Sequence, residues 1–182
     1  MTTYRIHTIE SAPEKSKPSL QGLKQAFGLI PNLAATMASS PALINSFVAA
    51  FGNFHGGSLT GAQRQAILLT NAVTNASAWA VAFHSTLALK EGISADDVRA
   101  IRERRLPADA RYASVSALAR ALNEKRGHLD GADVKAFLAA GFSQDQVFEV
   151  IAGVAISVMA NYAGNVADPP LEAPFQAQVW SR

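Results

Sequence analysis

The chain has 182 residues and a mass of 19.2 kDa, enough for one domain with a sizeable core. It is 49% hydrophobic and 16% charged, and its net charge of +2 is too mild to imply a nucleic-acid partner. It has no cysteine, which excludes disulfides, thiolate metal sites and any thiol-based redox step by this chain.

A low charged fraction has two readings: some surface covered by other subunits, or an Ala-rich helical monomer. The N-terminus MTTYRIHTIE lacks the apolar core of a signal peptide. Glu149, Asn161 and Asn165 interrupt the best apolar run before it reaches the roughly 20 residues of a membrane span. A soluble cytoplasmic protein with no membrane partner is the expectation.

Residues 1–18, with Pro13, Pro18 and alternating charges, read as an extended lead-in, and residues 19–182 as one helical domain. SLQGLKQAFG places Leu20, Leu23, Ala26 and Phe27 at helical spacing and stops at Gly28. Pro31 and Ser40-Pro41 each fit the first turn of a further helix. Leu43, Ile44, Phe47, Val48 and Phe51 then make an apolar stripe, closed by His55-Gly56-Gly57.

Thr60 with Gln63 forms a capping-box pattern at the head of a helix whose apolar face is Ala66, Ile67, Leu69, Ala72 and Val73. Asn75-Ala76 is the expected joint before a second helix that runs to Gly92 and carries a lone histidine, His84. Gly92-Ile93-Ser94 and Gly141-Phe142-Ser143 repeat one construction: glycine ends a helix and serine caps the next. A trace of duplication and one good joint used twice both explain it.

Pro107 separates a short helix over 95–105 from a longer one near 109–126. In the longer one Tyr112, Val115, Leu118, Ala119 and Leu122 share a face. The basic run Arg102, Arg104 and Arg105 reads as a solvated helix end. Asp130 caps a helix with Val134, Phe137 and Leu138 inside. The last helix, near 144–167, is apolar nearly all round, as in a domain centre or a subunit interface. The tail through Trp180 is irregular. With no period-two alternation, the fold class is all-α, a single-domain helical bundle.

The stretch over 59–92 carries the chemistry, or its loss. Its frame is Leu59-Thr60, Arg64, Asn75, Trp79 and His84-Ser85. This frame resembles the carboxymuconolactone decarboxylase and alkylhydroperoxidase D superfamily, where peroxidase members read roughly L-T-x-x-E-R-E and N-x-C-x-Y-C-x-x-H-[ST]. FGLIPN…SPALINSF also resembles the longer, peroxidase-related members. The resemblance implies an alkylhydroperoxidase D-like helical fold, and a homo-oligomer, a trimer or hexamer. It further implies a pocket lined by Trp79, Ala80, Phe83, Asn161 and Tyr162. Helical spacing also makes Trp79 and Phe83 ordinary core.

Against that frame, Ser77 and Ala80 stand where the two cysteines belong, and Gln63 and Gln65 where the two glutamates belong. In a helix Ser77, Ala80 and His84 share one face. Ser77 is a far poorer nucleophile than a thiolate, Ala80 has no reactive atom, and Gln65 keeps hydrogen bonding but loses charge. A dithiol peroxidase cycle is chemically unavailable. A Ser77–His84 hydrolase fails too, because seven helical residues rise roughly 10.5 Å. The four histidines lack ligand spacing, so no metal and no cofactor is expected.

Two readings remain. One is a pocket-bearing oligomer that binds a small molecule without thiol peroxidase activity. The other is a cofactor-free enzyme of the decarboxylase branch, with His84 as general acid–base on a lactone or enolisable acid and Gln65 and Ser77 orienting substrate. A cation for a carboxylated substrate would favour the second, and Arg64 points about 100° away from Gln65 around its helix. His84 as a satisfied structural residue is the bland alternative to both.

Overall fold

The computed structural model describes residues 4–181. Among these described residues nine α-helices follow one another: α1 (Lys17–Phe27), α2 (Asn32–Met37), α3 (Pro41–His55), α4 (Gly61–Thr74), α5 (Ala78–Lys90), α6 (Ala95–Arg102), α7 (Ala110–Glu124), α8 (Gly131–Ala139) and α9 (Gln144–Ala167). Short 3-10 turns at Glu14–Ser16 and Ala173–Gln178 flank them, and no strand occurs among the described residues. The fold is all-α, a helical bundle.

Local sequence rules start and stop these helices. Ser40 accepts the Leu43 N–H at the head of α3, with Pro41 in the first turn. Thr60 and Gln63 close the expected capping box on α4. Gly92 and Gly141 take φ of 87° and 85°, which glycine alone adopts at no cost, and Ser94 and Ser143 cap the helices that follow. Helix α6 ends three residues before the expected 105, because Arg104 turns to φ 59° ahead of Pro107. Pro31 stands just outside α2 rather than in its first turn.

Helix α4 is the centre, packed against α5, α6, α7 and α9. Eleven of its residues are buried, with Ala66, Ile67, Leu69 and Ala72 fully so. Helix α9 crosses it closely at Gly153, where an added Cβ would meet Ile67 Cγ2 at 2.9 Å and the Phe54 ring at 3.1 Å. Polar groups lock α4 to α9 and to α7. Asn71 Nδ2 donates to Ser157 Oγ at 3.0 Å, Asn123 Nδ2 donates to Asn71 Oδ1 at 2.7 Å, and Thr70 and Ser116 share a hydroxyl bond at 2.7 Å.

Helix α9 has two faces. Val150, Gly153, Ile156, Ser157, Ala160, Asn161 and Gly164 turn inward. On the other side Phe148, Ile151, Tyr162 and Val166 are 70%, 41%, 56% and 66% exposed. Despite Glu149, its mean hydropathy of 1.5 over an 18-residue window matches a membrane span by length and composition. A core helix that also carries an apolar outer face has that composition too.

The ends are built in. His7 N–H donates to the Ala35 carbonyl at 3.2 Å, Ser16 Oγ donates to the Ala38 carbonyl at 2.8 Å, and Ala12 is buried. Residues 1–3 of the expected lead-in lie outside the described residues. The tail is a strap over α5, held by Arg102. That guanidinium donates to Ser85 Oγ at 3.0 Å and to the carbonyls of Gln178 and Val179 at 3.0 and 2.9 Å. Arg102 therefore corrects the reading of a solvated basic run. Arg104 and Arg105 do lie at the surface, paired with Glu124 and Glu103.

Candidate functional site

Helices α4 and α5 run back to back, so Gln65 on one faces His84 on the other. The joint between them places the rest. Ala76 reverses the chain at φ 51°, a conformation that costs a side-chain residue about 1–2 kcal/mol. Asn165 on α9 donates to the Asn75 carbonyl at 2.8 Å and so ties the joint to the core.

His84 Nδ1–H donates to Gln65 Oε1 at 3.0 Å. An amide oxygen accepts only, so this bond fixes the tautomer and leaves Nε2 as the bare lone pair. Burial, with the His55 cation second, holds the His84 pKa down at about 3, from an ordinary 6.5. The ring is therefore neutral at physiological pH. A glutamate at 65 would oppose that shift, and the glutamine does not. His55 is lowered by burial as well, with its Nδ1 bonded to the Phe51 carbonyl at 2.9 Å.

His84 lines a narrow cavity of about 50 Å³ between α1, α2, α3, α5 and α9. Its walls are aromatic and aliphatic: Phe27, Phe47, Phe51, Trp79 and Phe83, with Leu33 and Ala34 from α2. Trp79 and Phe83 stack at 4.9 Å. Ser157 is the other polar side chain in the lining, and its hydroxyl already donates to the Gly153 carbonyl. No cation lines it. Arg64 instead donates to the Leu59 carbonyl.

Trp79, Ala80, Phe83 and His84 thus meet at one cavity, with Gln65 behind His84 rather than in the wall. Three expected site residues fall elsewhere. Ser77 is not on the helix face of His84. It is the N-cap of α5, with φ −96° and ψ 97°, and its buried hydroxyl sits against Gly164 with no hydrogen-bond partner. Asn161 is buried against the core with Nδ2 unpartnered, and does not line the cavity. Tyr162, one residue on, is 56% exposed and lies beside Leu122, Asn123 and Ile151. A helix rotates about 100° per residue, and here that turns Asn161 into the core and Tyr162 out to solvent.

The sequence reading missed Glu172 and Phe175. Glu172 Oε2 accepts the Trp79 indole N–H at 3.0 Å, and Phe175 packs edge-on to Phe83 at 5.0 Å. An irregular tail has no periodicity that could have announced them. Phe47 and Phe51 were legible as an apolar stripe, but not as cavity wall. Among the described residues no three His, Asp or Glu side chains gather as metal ligands.

Residues 41–124 match the carboxymuconolactone decarboxylase family model. No curated protein matches the chain. Among solved structures, the core of an alkylhydroperoxidase, an uncharacterized peroxidase-related protein from Ralstonia eutropha JMP134, is 17% identical. The match covers 94% of this chain and 93% of that one, with a TM-score of 0.82. The debrominase Bmp8 is 21% identical over 91% of this chain and 90% of its own, with a TM-score of 0.75. A cysteine-to-alanine form of Bmp8 in complex with 2,3,4-tribromopyrrole matches over 98% and 96% at 21% identity, with a TM-score of 0.80. At these identities the likeness is one of fold.

Proposed function

We propose that this chain is a carboxymuconolactone decarboxylase-like protein with the alkylhydroperoxidase D-like fold, and that it binds a small apolar ring compound without thiol chemistry. One observation carries the reading: the cavity is walled by aromatic side chains and offers one unsatisfied acceptor, the Nε2 of a neutral, fixed His84. Such a site selects a flat ring bearing one N–H or O–H donor. The fold relative bound to 2,3,4-tribromopyrrole supports that choice of ligand, since a pyrrole is such a ring.

The decarboxylase reading asks more of His84. A carboxylated substrate needs a counter-charge, and the lining supplies none. A base whose conjugate acid has a pKa of about 3 rather than 6.5 is weaker by about 5 kcal/mol, at about 1.36 kcal/mol per pH unit. His84 here is a hydrogen-bond acceptor before it is a base.

Titration calorimetry with 2,3,4-tribromopyrrole tests the proposal. Micromolar-range binding is expected, weakened about tenfold or more in His84→Phe, because a ring N–H left unpaired in an apolar site costs about 1–3 kcal/mol. Equal affinity in the two proteins, or no binding to the wild type, refutes it.

We also propose that the outer face of α9 joins copies of the chain into a homo-oligomer, a trimer or hexamer by resemblance. Phe148, Ile151, Ala155, Val158, Tyr162 and Val166 repeat at spacings of three and four, the pattern of a helix seam. In sedimentation runs at micromolar concentration, the wild type should be oligomeric and Phe148→Glu/Ile151→Glu monomeric. A monomeric wild type ends this reading.

A further inference from the structure

Two segments that line the cavity are joined by one carboxylate from outside it. Glu172, on the strap that follows α9, uses both oxygens. Oε2 accepts the Trp79 indole N–H at 3.0 Å, and Oε1 accepts the Asn32 backbone N–H at 2.5 Å. Trp79 belongs to the α5 wall, stacked on Phe83. Asn32 opens α2, whose next residues, Leu33 and Ala34, also line the cavity. The first N–H groups of a helix have no partner within it, so a carboxylate there is doubly favoured by hydrogen bond and by helix dipole.

The strap itself cannot slide. Asn32 Nδ2 donates to the Pro170 carbonyl at 2.9 Å just before Glu172, and Phe175 presses on both Phe83 and Trp79 just after it. Arg102 clamps the far end at Gln178 and Val179. Between these anchors, the position of Glu172 fixes where the indole lies.

As built, the free volume is about 50 Å³, room for water and not for an aromatic ring. A ring therefore enters only as far as the Trp79 and α2 walls part. We propose that Glu172 is a positioning residue that sets this width and so determines the size of ring the protein accepts. The inference rests on the reading that the cavity takes a ring. It adds that a residue outside the cavity does the selecting, through Trp79.

Without Glu172, the indole N–H loses its acceptor and the α2 N-terminus its cap, so both walls are released together. A residue that merely stabilised the fold would not change which ligand is preferred. The test uses the full chain as wild type, Glu172→Gln and Glu172→Ala, with benzene and naphthalene as probes and the Trp79 indole N–H followed by NMR. Naphthalene affinity relative to benzene is expected to rise about tenfold or more in Glu172→Ala. Glu172→Gln, which keeps one carbonyl acceptor, should fall between.

The same ratio in folded Glu172→Ala as in wild type overturns the proposal, and so does an unchanged Trp79 indole resonance and exchange rate. If neither ring binds any variant but the indole is freed in Glu172→Ala, the ring reading falls and the size selection with it, and Glu172 is left as the anchor of Trp79 alone.

Discussion

Acidification from pH 7 to pH 4 is expected to cost the wild-type protein about 3 kcal/mol of stability that a His84→Gln variant does not lose. The sign follows from which state binds the proton. In the unfolded chain His84 titrates at its ordinary 6.5, and in the folded chain burial and the His55 cation hold it at about 3. Between those values the unfolded state is protonated and the native state is not. Stability is therefore fully present above about 6.5 and is lost as pH falls toward 3. Protonating the native ring would place a cation in an apolar site against the neutral Gln65 oxygen, so the native state takes up that proton only near pH 3.

Urea titrations of both proteins at pH 7 and pH 4, at one protein concentration, isolate the effect. Carboxylates titrate in the same range, but they are common to both chains and cancel in the difference. His55, lowered by burial as well, adds loss of the same sign to both. Parallel losses in the two proteins would mean that His84 is solvated or charged in the native state. Gln65→Glu should act oppositely to the wild-type pairing. A carboxylate accepting the Nδ1 proton favours imidazolium, so the variant should keep more of its stability at pH 5.

How far the residues announced this arrangement depends on the range of the interaction. Caps and joints are local: Thr60 with Gln63, Ser94 and Ser143 after their glycines, and the bounds of α9 all follow from a few consecutive residues. The pairing of His84 with Gln65 came only through the family resemblance, since 19 residues separate them. Spacing alone misled at Ser77, because an ideal helix was extended one residue too far back. The N-cap has non-helical dihedrals, which aim Ser77 at Gly164 and away from the cavity. Tyr162 was misplaced because resemblance carried a pair where helix geometry splits it. Glu172 reaches Trp79 across 93 residues from an irregular tail, and no periodicity could report it.

The triple variant Ser77→Cys/Ala80→Cys/Gln65→Glu is expected to gain dithiol-driven peroxide reduction that the wild type lacks. The wild type has no sulfur nucleophile and no disulfide to recycle. The scaffold still suits one. Position 77 is the N-cap of α5 and position 80 lies three residues on, so a rotamer change at 77 would turn a thiolate from Gly164 toward the unpaired N–H groups of the first turn. The Ser77 hydroxyl has no partner to lose, and Gly164 opposite it has no Cβ to crowd the larger sulfur. Position 80 is in the cavity wall, one turn before His84.

The glutamate is the necessary third change. With Gln65, His84 has a pKa of about 3 and cannot take a thiol proton at pH 7. With a carboxylate on Nδ1 its basicity returns toward the useful range. Turnover of hydrogen peroxide with dithiothreitol should therefore be on the order of a hundredfold higher in the triple variant than in Ser77→Cys/Ala80→Cys, and absent in Ser77→Cys alone. Thiol titration decides what a failure means. A triple variant that forms its disulfide but does not turn over would show that this bundle has lost more than sulfur, because thiols and a base would be in place without a path for peroxide to reach them. A triple variant that cannot close the disulfide would show instead that the Ala76 joint now holds position 77 out of reach of position 80.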